Sequence, residues 1–382
     1  MSHIMKLQCL YASSLNSADV LYLAGLQVPD PYLSIVFGRH KIAIVNQLEY
    51  GRVQRDSKYT KVFELEALKQ TILEAEPELK SKFKLAHFIH YFFKLYRADS
   101  IVVPKSFPAF LLIQLQALDL PISVIETSFF PLRETKNTEE LNYIRQANRA
   151  SAHGFERVHA VLKASKIHFG RLYYEGAVLT SERMRRMIEL CLMEKGAVAQ
   201  STIVAGGLQA CDPHQIGHGP LRANELIIVD IFPRLAESGY YGDMTRTFLK
   251  GQASPAQRAL VQIVRKAQKA AVAKIKAGVS ADSIHKSVCE CFDQAGYQTG
   301  KREDSSVFEG FIHSTGHGLG LDVHEAPRVG GSKNRLRCHQ VITIEPGLYY
   351  SELGGCRIED VYAVTEKGAD KLSQYNYRWE IA

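Results

Sequence analysis

The chain has 382 residues, with 47 Lys plus Arg against 40 Asp plus Glu and a formal net charge of +7. Apolar residues make up 46% and charged residues 23%, which excludes a disordered, collagen-like or coiled-coil chain. At roughly 100–200 residues per domain, the length predicts two or three domains with ample core.

The basic excess is diffuse. Its densest stretches, Arg183-Met184-Arg185-Arg186 and Lys333 to Arg337, are both interrupted and read as solvated surface, so no nucleic-acid partner is expected. The opening MSHIMKLQCLYASSL has one Lys and a brief apolar patch, short of a secretory leader. No stretch approaches the roughly 20 apolar residues of a membrane helix, so no membrane partner is expected. The seven cysteines are odd in number and scattered, which fits reduced thiols and a cytoplasmic location. Cys289 and Cys291 form a CxC pair, but helical spacing groups Cys291 with Ile284, Val288 and Phe292 as core.

Leu33 to Phe37 and Lys41 to Asn46 read as two short strands around Gly38-Arg39-His40. Ile101 to Val103 and Ile122 to Ile125 read as further strands beside helical stretches, as in an α/β layer. The polar segment Pro131 to Asn137 marks a domain boundary. Apolar residues at helical spacing then predict a long helix over 138–164. A second helix starts at Thr180 and ends at Gly196. A strand follows at Thr202 to Ala205, then a loop with His214 and His218, then strands at Leu226 to Phe232 and Tyr240 to Leu249.

The order then repeats. Ser254-Pro255-Ala256-Gln257 starts a helix running to Gly278, and Ser280 opens another that Gly296 closes. A strand at Phe311 to Ser314 leads into a segment rich in Gly and His, followed by strands at Val341 to Tyr350 and Cys356 to Val364. Residues 138–382 thus read as two copies of one layout, helix, helix, strand, His-bearing loop, strand, strand, that can face each other across a cleft.

Each half delivers two carboxylates on its last strand pair: Asp230 and Asp243 in the first, Glu345 and Glu359 in the second. A buried, unpartnered carboxylate costs several kcal/mol, and four converging ones repel strongly unless cations lie among them. Two divalent metals balance four carboxylates, with a His as neutral fifth ligand and a bridging hydroxide completing the site. Such an oxygen-rich set with one imidazole suits Mn(II), Fe(II) or Co(II), and Zn(II) also fits. The His candidates are His313, His317 and His324, in FIHSTGHGLGLDVHE.

With these residues in order, the sequence resembles the creatinase / aminopeptidase P / prolidase family of pita-bread metallopeptidases. The resemblance covers the C-terminal ~250 residues and extends less specifically to the N-terminal part, through ADVLYLAGLQVPDPYLSIVFG. It implies an α+β fold. Residues 132–382 would form the pita-bread catalytic domain, of two pseudo-symmetric ααβ-hairpin halves. Residues 1–131 would form a smaller α/β creatinase-like accessory domain. It further implies that Asp230 chelates one metal, that His317 and Glu345 bind the other, and that Asp243 and Glu359 bridge both. His214, His313 and His324 match substrate-facing histidines, and Arg357 an Arg at the substrate end of the cleft. The implied reaction is attack of a metal-bridging hydroxide on an Xaa-Pro peptide bond, with Glu345 as proton acceptor and donor and His214 and His324 stabilising developing charge. The implied cofactors are two divalent ions per chain, Mn(II) first, and the implied partners are a short peptide substrate and a second copy of the chain in a homodimer.

The sequence departs from the family at Asp230-Ile231-Phe232-Pro233-Arg234, where members usually carry a Gly. A persisting strand would put Phe232 and Arg234 on the face of Asp230, with Arg234 either anchoring an acidic part of the substrate or serving a surface turn. Cys211, three residues before His214, reads as packing. Three functions compete: an Xaa-Pro dipeptidase or aminopeptidase, a metal-dependent hydrolase of a small non-peptide C–N bond, and a catalytically silent binding scaffold. Creatinase-like and silent members lose metal ligands, whereas all five positions are filled here.

Overall fold

Along Lys6–Ala12 (β1), Leu7 and Cys9 pack into one apolar cluster and Leu10 into another, as strand alternation demands. No strand is expected there from the sequence. Pairing on both sides makes it the centre of a sheet, a tertiary effect. The computed structural model describes residues 5–199, 201–299, 309–331 and 333–382. The first four residues of the stretch tested above for a leader lie outside them. The chain divides into two units, Met1–Pro131 and Leu132–Ala382.

In the smaller unit the sheet order is β4-β3-β2-β1-β5-β6. Its other strands are Tyr32–Phe37 (β2), His40–Val45 (β3), Lys61–Glu64 (β4), Ser100–Pro104 (β5) and Ile122–Ile125 (β6). The expected hairpin is β2–β3, with Phe37 opposite His40. Helices Ala18–Ala24 (α1) and Gln47–Asp56 (α2) cover one face through Val20, Leu23 and Val53. Helices Leu65–Ala75 (α3), Ala86–Leu95 (α4) and Ala109–Gln116 (α5) cover the other through Ile72, Phe92 and Leu115. Burial on both faces makes this a three-layer α/β unit.

The larger unit is built twice. Thr138–Ala164 (α6) starts at an Asn137–Glu140 capping box, and Ser181–Glu194 (α7) at a Thr180 cap. Phe155, Val158, Ile188 and Leu192 of these helices pack on Ile227, Val229 and Ile231. The sheet beneath runs Ile203–Gly206 (β7), Ile227–Ile231 (β8), Met244–Lys250 (β9), with Glu380–Ile381 at its edge. In the second half, Pro255–Ala273 (α8) starts at a Ser254–Gln257 box, and Ala281–Asp293 (α9) follows Ser280, whose side chain makes no cap bond. Leu260, Val264, Ile284, Val288 and Phe292 pack on Ile342, Ile344 and Val364. The strands are Gly316–Gly318 (β10), Glu325–Val329 (β11), Val341–Ile344 (β12), Gly347–Tyr350 (β13), Gly354–Arg357 (β14) and Asp360–Val364 (β15). They form a sheet β11-β10-β12-β15, edged by Ala369–Lys371, and a separate hairpin β13–β14.

Four strand expectations need correction. Tyr240 to Leu249 becomes a strand only from Met244, which leaves Asp243 just before it. Phe311 to Ser314 is not a strand, and β10 lies beyond it at Gly316–Gly318. Val341 to Tyr350 breaks at Glu345-Pro346, where Pro has no N–H to extend a ladder. Cys356 to Val364 breaks at Ile358-Glu359. In the basic stretch 183–186, Arg183 and Arg185 pin loops, donating to Val178 O at 2.8 Å and to Gly217 O at 2.7 Å, while Arg186 is exposed. Among the described residues, no helix is long and apolar enough to cross a membrane.

Candidate metal centre

The two halves bring their carboxylates to one cavity of about 920 Å³, which Asp230, Asp243, Glu345 and Glu359 all line. Asp230 sits within β8, opposite Thr245 of β9, and Asp243 immediately precedes β9. In the second half Glu345 follows β12 and Glu359 precedes β15, so both glutamates occupy the strand breaks. The breaks leave their backbones free to bond elsewhere. Glu345 N–H donates to Thr315 O at 2.8 Å and Glu359 N–H to Thr245 O at 3.1 Å. Asp243 N–H donates to Asn148 Oδ1 of α6 at 3.2 Å, and Thr245 Oγ1 donates to Glu359 Oε2 at 2.7 Å.

His317 enters from β10. Its Nδ1 lies 3.1 Å from Gly318 O, which only accepts, so Nδ1 carries the proton. The bare Nε2 then faces Glu345 Oε1 at 3.4 Å and Asp243 Oδ2 at 3.6 Å. Burial pushes the imidazole pKa down to about 3, keeping it neutral. Donor atoms of Asp243, His317 and Glu359 lie within 4.8 Å of one another.

The carboxylates show the strain of this crowding. Burial, then repulsion from Glu359, Asp230 and Glu345, holds Asp243 well above the usual carboxylate range. Burial, then Glu345 and Asp230, does the same to Glu359. Burial pushes Glu345 up to about 7, although Arg357 works against it. Asp230 Oδ2 is paired to Arg357 at 2.9 Å, but its Oδ1 is buried with no hydrogen-bond partner among the described residues. Buried acceptors that outnumber their donors mark a place for cations. One imidazole among four carboxylates is a donor set for divalent metals, so the residues present fit a metal centre.

The histidines divide by what their nitrogens do. His214 and His324 are exposed and line the cavity. His324 meets the His317 ring edge-on at 4.3 Å between centroids, and burial, then His214, holds its pKa low. His313 also lines the cavity, but both its nitrogens are engaged. Nδ1 donates to Ser314 O at 2.7 Å, and Nε2 accepts from Tyr349 OH at 2.8 Å. Burial, then Arg357, pushes its pKa down to about 3.

Arg357 faces the cavity, although the strand assumed in counting back from Glu359 breaks at Ile358-Glu359. It donates to Asp230 Oδ2, Tyr349 OH (3.1 Å) and Pro213 O (3.3 Å), tying the His214 loop to both halves. Arg234 departs from the substrate-anchoring expectation. Pro233 ends the β8 ladder, Arg234 pairs with Val198, and its Nε donates to Gly239 O at 3.2 Å. It does not line the cavity among the described residues, whereas Phe232 does. Cys211 is half-buried, donates to Tyr350 O at 3.3 Å, and is pushed up to about 11 by burial.

Sequence reasoning missed Tyr349, Arg328, Glu325 and an apolar wall of Ile203, Ile216, Ile312 and Val323. Tyr349 was out of reach of period-two counting from Glu345, because the strand breaks at Glu345-Pro346. Arg328 is exposed on the cavity. Glu325 is held by Arg133 at 3.0 Å and by Lys136.

Residues 142–366 match the sequence profile of metallopeptidase family M24. An Xaa-Pro dipeptidase of Pyrococcus furiosus is 36% identical over 178 residues, 46% of this chain and 48% of that protein. The chain thus spans about half the length of that relative. An uncharacterized peptidase of Methanocaldococcus jannaschii is 32% identical over 267 residues, 68% of this chain and 69% of its own. Among solved structures, an X-Pro aminopeptidase from Thermotoga maritima superimposes with a TM-score of 0.80 at 20% identity, covering 99% of this chain and 98% of its own. The prolidase from Pyrococcus furiosus gives 0.74 at 24% identity, covering 98% and 97%.

Proposed function

The chain belongs to metallopeptidase family M24, and from that premise we propose that it is a dinuclear metal-dependent peptidase hydrolysing Xaa-Pro bonds, of the dipeptidase type. It has the pita-bread fold of that family, which is metal-dependent. We assign the chemistry to residues 132–382, with residues 1–131 as an accessory domain. The observation that carries the reading is the unbalanced acceptor set: four carboxylates and a bare imidazole nitrogen around one cavity, with Asp230 Oδ1 buried and unpartnered among the described residues.

Asp230 would hold one metal, His317 and Glu345 the other, with Asp243 and Glu359 shared; Mn(II) is the ion proposed. When bound, the two ions supply an acidified water as nucleophile and polarise the scissile carbonyl. Glu345 would take up the proton of the attacking water and return it. The return matters because a proline nitrogen in a peptide bond carries no hydrogen and must gain one to leave. His214 and His324 donate to the carbonyl oxygen and the scissile nitrogen as charge develops. His313, its nitrogens engaged, gives a ring face to the apolar wall that receives the pyrrolidine. Arg328 meets the free carboxylate of a dipeptide.

A panel of Xaa-Pro dipeptides, Xaa-Pro tripeptides and non-Pro controls, assayed with Mn(II), Co(II) and Zn(II), tests this. Turnover of Xaa-Pro dipeptides above both other classes is expected. Preference for tripeptides would make it an aminopeptidase. Fewer than one transition metal per chain in metal-equilibrated protein would sink the metal reading altogether.

A further inference from the structure

A second polar cluster lies behind the metal centre, on the helix side of the same strands. Neighbouring strand residues face opposite ways. With Glu359 and Thr245 turned to the cavity, Asp360 and Arg246 point away from it. Both are buried, Asp360 at 0% and Arg246 at 3% exposure. They pair at 2.8 Å. Asp360 also accepts from Ser373 Oγ (2.8 Å), Tyr377 OH (2.6 Å) and Gln268 Nε2 of α8 (3.2 Å), and pairs with Lys371 at 3.0 Å.

A buried ion pair is costly, and well-packed apolar side chains often fill such a space with equal or better stability. Its remaining donors show a more specific use. Arg246 NH1 donates to the carbonyls of Glu359 (2.6 Å) and Thr245 (2.8 Å). Gln268 Nε2 donates to the carbonyls of Ile344 (3.2 Å) and Ile358 (3.3 Å). These are the backbone of Glu359 itself, the residues just before Glu345 and Glu359, and the residue two beyond Asp243. The strand breaks at Glu345 and Glu359 interrupt the ladder at these points, so the cluster takes over the work of fixing the backbone. The first half has a neutral counterpart on α6. Asn148 accepts from Asp243 N–H, and Ser151 Oγ donates to Ile231 O at 3.2 Å, the residue after Asp230.

We propose that Arg246, Asp360 and Gln268 are positioning residues that set the backbone of Asp243, Glu345 and Glu359 so that their carboxylates converge on metal. The inference rests on the metal reading above. It assigns the cluster a role in metal affinity and geometry that core packing alone would not give it.

The test uses full-length Asp360→Asn and Gln268→Met. Metal affinity is measured by competition with a chelator, ligand geometry by the visible absorption of the Co(II)-loaded protein, and folding by melting of the metal-free protein. Outer-sphere partners typically contribute about 10–100-fold to metal affinity. Both variants are expected to bind Co(II) or Mn(II) about 10–100-fold more weakly than wild type, with an altered Co(II) spectrum. Gln268→Met keeps side-chain length and changes no charge, so it decides the matter if Asp360→Asn does not fold. Wild-type affinity and an unchanged spectrum in the folded variants, whatever their melting temperature, overturn the inference. Wild-type protein that holds no metal overturns the reading beneath it, and the inference with it.

Discussion

The hydroxyl of Tyr349 joins two groups that would otherwise be left short of partners. It donates to His313 Nε2 and accepts from Arg357 NH1, with the ring fully buried. Tyr349→Phe keeps the ring and removes both bonds. It should cost about 1–3 kcal/mol of stability, the usual penalty for stranding a buried polar partner, which urea unfolding of the folded enzyme will register. Turnover should fall as well, because Arg357 then loses one of its anchors beside Asp230. Glu345→Gln separates binding from proton transfer: metal content should survive better than kcat. An unimpaired kcat in that variant would remove Glu345 from the proton-transfer role. At this scale the sequence was legible where local rules sufficed. Alternation put Arg357 on the cavity face, but its partner Asp230 lies 127 positions away and no local pattern names it. Arg234 shows the opposite failure. Counting by two carried it onto the face of Asp230, and Pro233 ended the strand that the counting assumed.

The elements that hold the site are short, and their shortness is functional. β10 has three residues, Gly-His-Gly, and lies against β12. A Cβ on Gly316 would fall 2.0 Å from Thr343 O, so only Gly lets this strand approach. The approach delivers His317, whose N–H donates to Thr343 Oγ1 at 3.1 Å. Gly316→Ala should therefore push β10 away. A stability loss of about 1–3 kcal/mol is expected from overpacking, with weaker metal retention; urea unfolding and metal analysis of the dialysed protein will show whether both occur. The long helices were legible because apolar period and caps agree: α6 runs Thr138–Ala164 as expected, from an Asn137 cap. β10 was not, because one His between two glycines carries neither alternation nor β-branched side chains. What makes them a strand is contact with β12, which local sequence does not encode.

For the whole molecule, a chain with a net charge of +7 concentrates its chemistry in a buried knot of acid. Asp243, Glu345 and Glu359 are all raised by burial, and neighbouring carboxylates add to the rise of each. That arrangement fixes how metal-free protein should respond to pH. A carboxyl whose pKa is higher in the fold than in the unfolded chain holds its proton better when folded. Its stabilising contribution is full below the unfolded value, 4.5 for Glu345, and is lost as pH rises through the folded value, about 7. Chelated protein should therefore melt progressively lower from about pH 5 to pH 8. Divalent metal takes the place of the protons and should remove that decline. At a free metal concentration 100 times Kd, each metal site filled adds about 2.7 kcal/mol. At about 2–4 °C per kcal/mol for a unit of this size, the protein should melt roughly 5–10 °C higher for each site filled. The gap should widen toward pH 8, because the chelated form keeps falling while the loaded form does not. Melting curves of chelated and Mn(II)-loaded protein across this range decide it. Parallel curves would mean that the four carboxylates are not what the metal neutralises.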